Sequence, residues 1–165
     1  MYLDFKYYQT EYGGKLFENE DAFKPYERKA ERRINTATRD KLTFAFPIEE
    51  KDAAAVKDCL CELAEFLLRV DQFQEAASAS VGVVTQEDGT VKGKVVTSVT
   101  SGSESRGYST GGTIETAIAD AAKNRKVFDI AVYSLVKDGL SGVPDANGVN
   151  LLYAGPYPGR CELWE

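Results

Sequence analysis

Histidine is absent from this 165-residue chain, and its absence excludes several kinds of active site at once. Nucleophile–base pairs of the Ser-His and Cys-His type need an imidazole to accept the proton of the nucleophile. Histidine is also the commonest metal ligand among protein side chains. The sequence therefore predicts a protein without enzymatic activity and without a metal or organic cofactor.

Cysteine is scarce as well, with three residues in the whole chain. Cys59 and Cys61 are two positions apart on a predicted helix, which turns their side chains about 200° away from each other. A disulfide or metal site between them is therefore disfavoured, and we expect ordinary, partly buried thiols. The odd count and the absence of a signal-like start favour a reducing, cytosolic origin. No apolar run approaches the roughly 20 residues that span a membrane.

Acidic residues outnumber basic ones, and the distribution of charge is uneven. A net charge of −6 argues against a duplex-DNA-binding protein, since such proteins concentrate lysine and arginine against phosphate. Residues 24–41 nevertheless carry seven basic and three acidic side chains, whereas residues 49–75 carry eight acidic and three basic ones. Polarity of this kind suits the orientation of charged partners.

Apolar residues at helical spacing predict a mainly α fold, a bundle of about three principal helices in a single domain, residues 1–165. Pro25 is expected in the first turn of the first helix, where its missing N–H costs nothing. Its buried stripe is expected to include Tyr26, Ala30, Ile34 and Ala37. Thr113 and Gly139 are expected to cap the third helix. The predicted helices are residues 25–39, about 49–77 and 113–139, and residues 43–47 are expected to form an extended apolar connector.

Two segments depart from the helical pattern. Residues 80–112 are rich in glycine, serine and threonine, and two valine-containing runs flank Asp88-Gly89, a dipeptide favoured in hairpin turns. Neither face of this β-hairpin is consistently apolar with a two-residue loop, so we expect an inserted arm that a neighbour orders. Residues 140–165 are expected to form an irregular tail with the only tryptophan, Trp164.

The order of these segments resembles the small head–tail connector (head-completion, adaptor) proteins of HK97-like siphophages and related prophages. An aromatic start closes at Gly13-Gly14, and a leucine-rich helix, a glycine- and serine-rich excursion and an alanine-rich helix follow. The chain then reaches Leu-Leu-Tyr-Ala-Gly at residues 151–155, which is similar to the Leu-Leu-Tyr-Arg-Gly-like ending of those proteins. Ala154 stands where that ending has arginine, and residues 141–150 form an extra loop before it.

The resemblance implies a non-enzymatic structural subunit that assembles into a ring, often of about a dozen copies. Such a ring joins the portal to the tail or to the next head-completion protein, and it continues the DNA channel without sequence-specific binding. The resemblance further implies a place in the virion, the bacterial host cytoplasm during assembly, and no membrane.

Two charged clusters form the predicted interface, a basic one at residues 28–33 and an acidic one at residues 58–65. Members of the basic cluster lie one helical turn apart, and they repel one another unless an acidic surface lies opposite. A solvated face balanced by Glu27 and Glu31 is its simpler interpretation. The acidic cluster follows one face of the second helix, where a solvated face is favoured over a metal site that lacks histidine. The interface residues are Arg28, Lys29, Arg32, Arg33, Asp58, Glu62 and Glu65.

Two functions from other classes stay open. One is a small carboxylate-dependent hydrolase that uses residues such as Glu62, and it requires a pocket with two close carboxylates from different helices. The other is a monomeric adaptor that binds a protein partner through the arm, and oligomeric state separates it from a ring subunit. A phosphate cradle at Gly111-Gly112-Thr113 is disfavoured, because the spacing of a P-loop is missing.

Overall fold

The computed structural model describes residues 2–79, 81–85, 91–95 and 113–155, and these residues are mainly helical, as predicted. No described helix is both long enough and apolar enough to cross a membrane. The elements are α1 (Phe5–Thr10), α2 (Glu20–Thr38), α3 (Lys41–Phe44), α4 (Glu50–Ala79), β1 (Val81–Thr85), β2 (Val91–Val95), α5 (Thr113–Lys123) and α6 (Arg125–Leu140).

The described residues fall into two compact units. Unit 1 takes its residues from Met1–Leu68 and Asp129–Glu165, and unit 2 takes its residues from Arg69–Phe128. Unit 1 contains α1, α2 and α3 together with the first part of α4 and most of α6. The assignment of residues 1–165 to a single domain stays a prediction.

The start of α2 lies five residues before the predicted one. Asn19 is the N-cap, and its side chain accepts a hydrogen bond from the Ala22 N–H at 2.9 Å. Glu20 and Asp21 follow in the first turn, where negative charge is favourable. Pro25 therefore lies inside the helix rather than in its first turn. The expected boundary was wrong because the Asn19 side chain caps the free N–H groups of the first turn, so the helix begins there and Pro25 does not mark its start.

The buried stripe of α2 is shifted relative to the predicted one. Ala30 and Ile34 are buried as expected, whereas Tyr26 and Ala37 are only half-buried. Glu27, expected on a solvated face, is only 1% exposed. The shift follows from Phe23, whose ring packs against other aromatic rings in the core. Glu27 lies one helical turn later on the same face of α2, so its side chain also points into the core. The buried residues of α2 are Phe23, Glu27, Ala30, Ile34 and Thr38.

The predicted long second helix is confirmed as α4, and its core stripe is buried at most of the expected positions. Cys59 and Cys61 are both buried and both free, so the expectation of partial burial understated their enclosure. Burial raises the pKa of the Cys59 thiol to about 12, with Glu62 and Asp58 adding to the effect. The buried residues of α4 in unit 1 are Val56, Cys59, Leu60, Cys61, Leu63, Ala64 and Leu67.

The predicted third helix is two helices. Asn124 separates α5 from α6, and its side chain accepts a hydrogen bond from the Lys126 N–H at 2.9 Å, as an N-cap does. Gly139 lies within α6 instead of capping it. A Cβ there would come within 2.9 Å of Cys59 Sγ, so the close approach of α6 to α4 is what requires a glycine at this position. The left-handed residue after the helix is Gly142, with φ +82°.

Strands β1 and β2 are antiparallel neighbours, with Val81 opposite Val95 and Thr85 opposite Val91. A two-residue loop at Asp88-Gly89 would instead set Gln86 opposite Val91, one residue out of this register. The rest of the expected arm lies outside the described residues. Ordering of an arm by a neighbour therefore stays a prediction.

The described part of the tail, residues 141–155, contains no helix or strand, in line with the expectation of an irregular segment. It is nevertheless well organised. Asp145 is buried, and its Oδ1 accepts hydrogen bonds from the Asn147 N–H at 2.8 Å and the Val149 N–H at 2.9 Å. The Leu151 N–H donates to the Val143 carbonyl at 2.9 Å, which brings the end of the segment back to its beginning.

Candidate protein interaction site

An aromatic cluster of α1, α2 and the segment between them holds α1 in unit 1. Tyr8 is fully buried, and its ring stacks on Phe23 with centroids 5.0 Å apart. Phe17 meets the Tyr8 ring edge-on at 5.4 Å. Phe5 packs on Phe23 at 5.6 Å. The aromatic-rich start therefore packs on the helices.

Two members of the acidic cluster of α4 accept hydrogen bonds from tyrosines of α1. The Tyr7 hydroxyl donates to Asp58 Oδ1 at 3.0 Å, and the Tyr8 hydroxyl donates to Glu65 Oε1 at 2.8 Å. The Tyr8 oxygen also accepts from the Leu16 N–H at 2.9 Å. Burial, reinforced by the bond to Glu65, raises the pKa of Tyr8 to about 12, so its hydroxyl stays a donor at neutral pH. Asp58 and Glu65 thus stabilise unit 1 instead of forming a purely solvated face.

Glu62 is the member of this cluster that faces solvent. Partial desolvation and the nearby negative charges of Asp58, Glu65 and Asp138 raise the pKa of its carboxyl group. Asp138 lies on α6 and is exposed. Glu62 and Asp138 together are called the acidic patch below. Neither residue lines either of the two cavities described below. The smaller cavity contains Asp4 and Glu11, which are the two caps of α1, and the larger one contains Asp129 alone, so neither cavity combines carboxylates from different helices.

The four predicted basic residues divide into two engaged and two exposed side chains. Lys29 Nζ lies 4.7 Å from the centre of the Tyr26 ring. Arg33 Nη1 lies 3.3 Å from Asp129 Oδ1 of α6. Arg28 and Arg32 are exposed and have no ion-pair partner among the described residues. These two arginines are called the basic patch below, and buried Glu27 does not balance them at the surface.

A groove of about 370 Å³ runs between α2 and α6 within unit 1. Val132 and Val136 are buried and form its apolar floor, and Tyr133 is 61% exposed at its rim. The sequence reasoning missed this groove, because nothing in the pattern showed that α2 and α6 are neighbours. Its lining residues are Arg32, Arg33, Thr36, Ala37, Asp129, Val132, Tyr133 and Val136. A smaller cavity of about 210 Å³ is lined by Tyr2, Asp4, Lys6, Tyr7, Thr10, Glu11 and Lys57.

Lys41 anchors the segment that carries the sequence resemblance, residues 151–155. Its side chain is buried, and Nζ donates to the carbonyls of Asn150 at 2.9 Å, Leu151 at 3.2 Å and Tyr153 at 2.6 Å. An ammonium group has three N–H donors, and all three are satisfied here. Arg39 adds a hydrogen bond to the Ala154 carbonyl. The main chain therefore makes the contact, which does not depend on the side chain at position 154.

Two large apolar side chains are exposed at the end of α3 and in the connector that follows it. Phe44 is 69% exposed and Ile48 is 79% exposed, although Ala45 and Pro47 beside them are buried. The expected extended connector over residues 43–47 was wrong at its start, since Thr43 and Phe44 belong to α3. Side chains of this kind mark contact surfaces when they cluster.

The described residues contain no group of three or more histidine, cysteine, aspartate or glutamate side chains placed to hold a metal ion. Comparison of the chain with protein-family models, curated proteins and solved structures gives no match.

Proposed function

We propose that this chain is a non-enzymatic structural subunit of a tailed bacteriophage or prophage. Copies of the subunit assemble into a ring that joins the portal to the tail or to the next head-completion protein. DNA passes through the ring without sequence-specific contacts. The observation that carries the proposal is a pair of exposed, oppositely charged patches on one compact unit.

A ring built from identical subunits needs two different surfaces on each copy, because its interfaces are head-to-tail. The basic patch, Arg28 and Arg32 on α2, supplies one such surface. The acidic patch, Glu62 on α4 and Asp138 on α6, supplies a complementary one. Both patches belong to unit 1, so each copy carries both halves of the interface.

Each patch is electrostatically unfavourable by itself. Arg28 and Arg32 are one helical turn apart, a spacing at which like charges cost about 0.2–0.5 kcal/mol. Glu62 is crowded by neighbouring carboxylates, which raise its pKa. Contact between the basic patch of one copy and the acidic patch of the next relieves both repulsions. Each exposed ion pair contributes only about 0–1 kcal/mol, but the gain repeats at every interface and is weakened by salt.

Apolar contact adds to this electrostatic term. Phe44 and Ile48 expose most of their side chains, and burial of apolar area contributes about 25 cal/mol per Å². The anchored Leu-Leu-Tyr-Ala-Gly segment supports the same proposal, because it is the most specific point of resemblance to the connector proteins. A hydrolase gains no comparable support from the described cavities.

The test is the oligomeric state of the purified protein, measured by native mass spectrometry and light scattering and followed by negative-stain imaging. We expect closed rings whose yield falls with added salt. Arg28→Glu is expected to lower ring yield, and the added substitution Glu62→Arg to restore it. Lys15→Glu makes the same charge change at another exposed position and is expected to leave assembly unchanged.

A protein that stays monomeric at high concentration and low salt would contradict the ring and favour the monomeric adaptor. Assembly that is indifferent to Arg28→Glu would instead remove the charged patches from the interface. Circular dichroism of each variant shows whether the helical content of the subunit is intact.

A further inference from the structure

The bend between α2 and α3 is built from two uncommon backbone conformations in succession. Arg39 has φ +56° and Asp40 has φ +60°, and no other non-glycine residue in the described part of the chain has a positive φ. A side chain in this left-handed region brings its Cβ close to the following carbonyl oxygen, so the conformation is unfavourable for residues other than glycine. Two such residues in a row therefore need other contacts to hold them.

The local sequence does not require α2 to end at Thr38. Residues 36–44 contain neither glycine nor proline, and the first proline after the bend is Pro47. Asp40 occupies the N-cap position of α3, but its side chain makes no capping hydrogen bond. The chain at this point is therefore compatible with a single helix that runs from α2 through α3.

The contacts that hold the bend come from its two flanking cations. Lys41 donates to three main-chain carbonyls within residues 150–153, and Arg39 donates to the carbonyl of Ala154. A continuous helix would rotate both side chains about its axis and separate them from these carbonyls. Attachment of residues 150–154 and the left-handed pair therefore depend on each other.

We propose that residues 38–41 are a two-state hinge, which the attached segment at residues 150–154 locks in its bent state. Without the lock, the left-handed residues return to helical conformation and α2 continues through α3 to Phe44. The bent state is the populated one in the intact protein, because it buries Leu42, which is 1% exposed, and satisfies Lys41. Unlocking moves the exposed Phe44 side chain relative to α2, so residues 150–154 control the surface at this end of unit 1.

The N–H groups of Lys41 and Leu42 distinguish the two states. Both residues lie in the first turn of α3, where N–H groups have no acceptor within the helix. In a continuous helix they donate to the carbonyls of Ala37 and Thr38, four residues earlier. Hydrogen exchange at these two amides, measured by NMR or by mass spectrometry with residue resolution, therefore reports the straight state.

Two double variants lose the same lock and differ only at the hinge. Lys41→Met with Asp40→Ala puts the best helix former at a left-handed position, and we expect exchange at both amides to slow by about tenfold or more. Lys41→Met with Asp40→Gly leaves the left-handed conformation without its steric cost, and we expect exchange to stay as fast as in the parent protein. The two variants therefore separate the hinge from a general loss of stability.

The controls make the same replacements where the backbone is already helical. Asp21→Ala and Asp21→Gly, in the first turn of α2, are each combined with Lys41→Met and are expected to give the same exchange at the Lys41 and Leu42 amides. If the Lys41→Met proteins do not fold, Arg39→Ala takes the place of Lys41→Met and removes only the bond to Ala154. All variants are compared as monomers or as assemblies alike, so a failure of ring formation leaves this test intact.

Fast exchange at both amides in the alanine and the glycine variant would overturn the inference, because the bend would then persist without its lock. Slow exchange in both variants would also overturn it, since the left-handed residues would then have no part in the equilibrium. Slow exchange in the alanine variant alone supports a hinge that residues 150–154 lock.

Discussion

The N-terminal and C-terminal parts of unit 1 are both held against the helices, but by different interactions. Near the N-terminus, α1 is fixed by stacked aromatic rings and by two tyrosine–carboxylate hydrogen bonds. Near the other end, residues 150–154 are fixed by Lys41 and Arg39, which donate to main-chain carbonyls. The first attachment depends on which side chains are present in the attached segment. The second depends on the path of its main chain.

This difference predicts which substitutions each attachment tolerates. The aromatic attachment is sensitive to any atom added inside its packed rings. The carbonyl attachment is insensitive to most side chains of the attached segment and depends on its two donors, chiefly on Lys41. Two substitutions, in decreasing order of expected effect, test that contrast, and a third prediction concerns the buried carboxylate of Glu27.

Gly14→Ala is expected to cost the most, about 3 kcal/mol. A Cβ at this position would lie 2.1 Å from Cε2 and Cζ of the Tyr8 ring, which is fully buried and has no room to move. Gly13→Ala is the matched control, because it meets no atom within 4 Å and pays only for its φ of +73°, a cost of about 1–2 kcal/mol. Urea unfolding of both variants gives the comparison. Equal destabilisation would show that the Tyr8 ring does not restrict Gly14.

Lys41→Met is expected to destabilise the protein by about 2 kcal/mol. The substitution keeps an unbranched apolar side chain but leaves three carbonyls without their charged donor. Lys41→Arg is not expected to restore stability, since a planar guanidinium does not match three converging carbonyls. Lys15→Met, at an exposed position, serves as the control. A Lys41→Met protein within about 0.5 kcal/mol of the parent would show that the carbonyls find water instead.

Glu27 is expected to make the protein less stable as the pH rises from about 4.5 to 7. Burial, with a contribution from Glu31, raises the pKa of this carboxyl group from 4.5 to about 7 in the folded protein. Within that window the unfolded chain loses the proton while the folded protein keeps it, so stability falls with increasing pH and levels off above it. The expected loss is about 1–3 kcal/mol.

Urea unfolding at pH 5 and pH 8 measures this loss, and Glu27→Gln is expected to reduce the difference between the two values. Glu18→Gln removes an exposed carboxylate and is the control. A parent protein and a Glu27→Gln protein with the same pH dependence would mean that Glu27 is ionised in the fold at neutral pH. Neither carboxylate oxygen of Glu27 has a hydrogen-bond partner among the described residues, which is why the neutral form is favoured.

The long helix α4 and the packed aromatic start were predictable because their signals are local. Apolar residues at helical spacing predict a buried stripe in almost any fold, and Leu60, Leu63 and Leu67 follow that rule. The phase of the α2 stripe was not predictable in the same way. Glu27 occupies a core position because Phe23, one turn earlier, is drawn into a cluster with rings distant in sequence.

The candidate site was only partly visible in the sequence. The basic cluster and the acidic cluster were both identified, but their members have different roles in the structure. Asp58 and Glu65 bind tyrosines, and Arg33 pairs with Asp129. Fewer charged side chains are therefore available for contact at the surface than the composition indicates. No pattern of neighbouring residues reveals such partners, because they are separated by 51 to 96 positions along the chain.

The sequence by itself determined the mainly helical composition of the chain, the lack of any histidine-dependent chemistry and the polarity of its charge. Only the tertiary structure decided that the Arg28 and Arg32 side chains stay exposed, that Lys41 holds the segment at residues 150–154, and that α2 and α6 enclose a groove. The physical reason is that helix formation depends on neighbours along the chain, and net charge depends on composition alone. Burial, ion pairing and cavities depend instead on which distant residues the fold brings within a few ångströms.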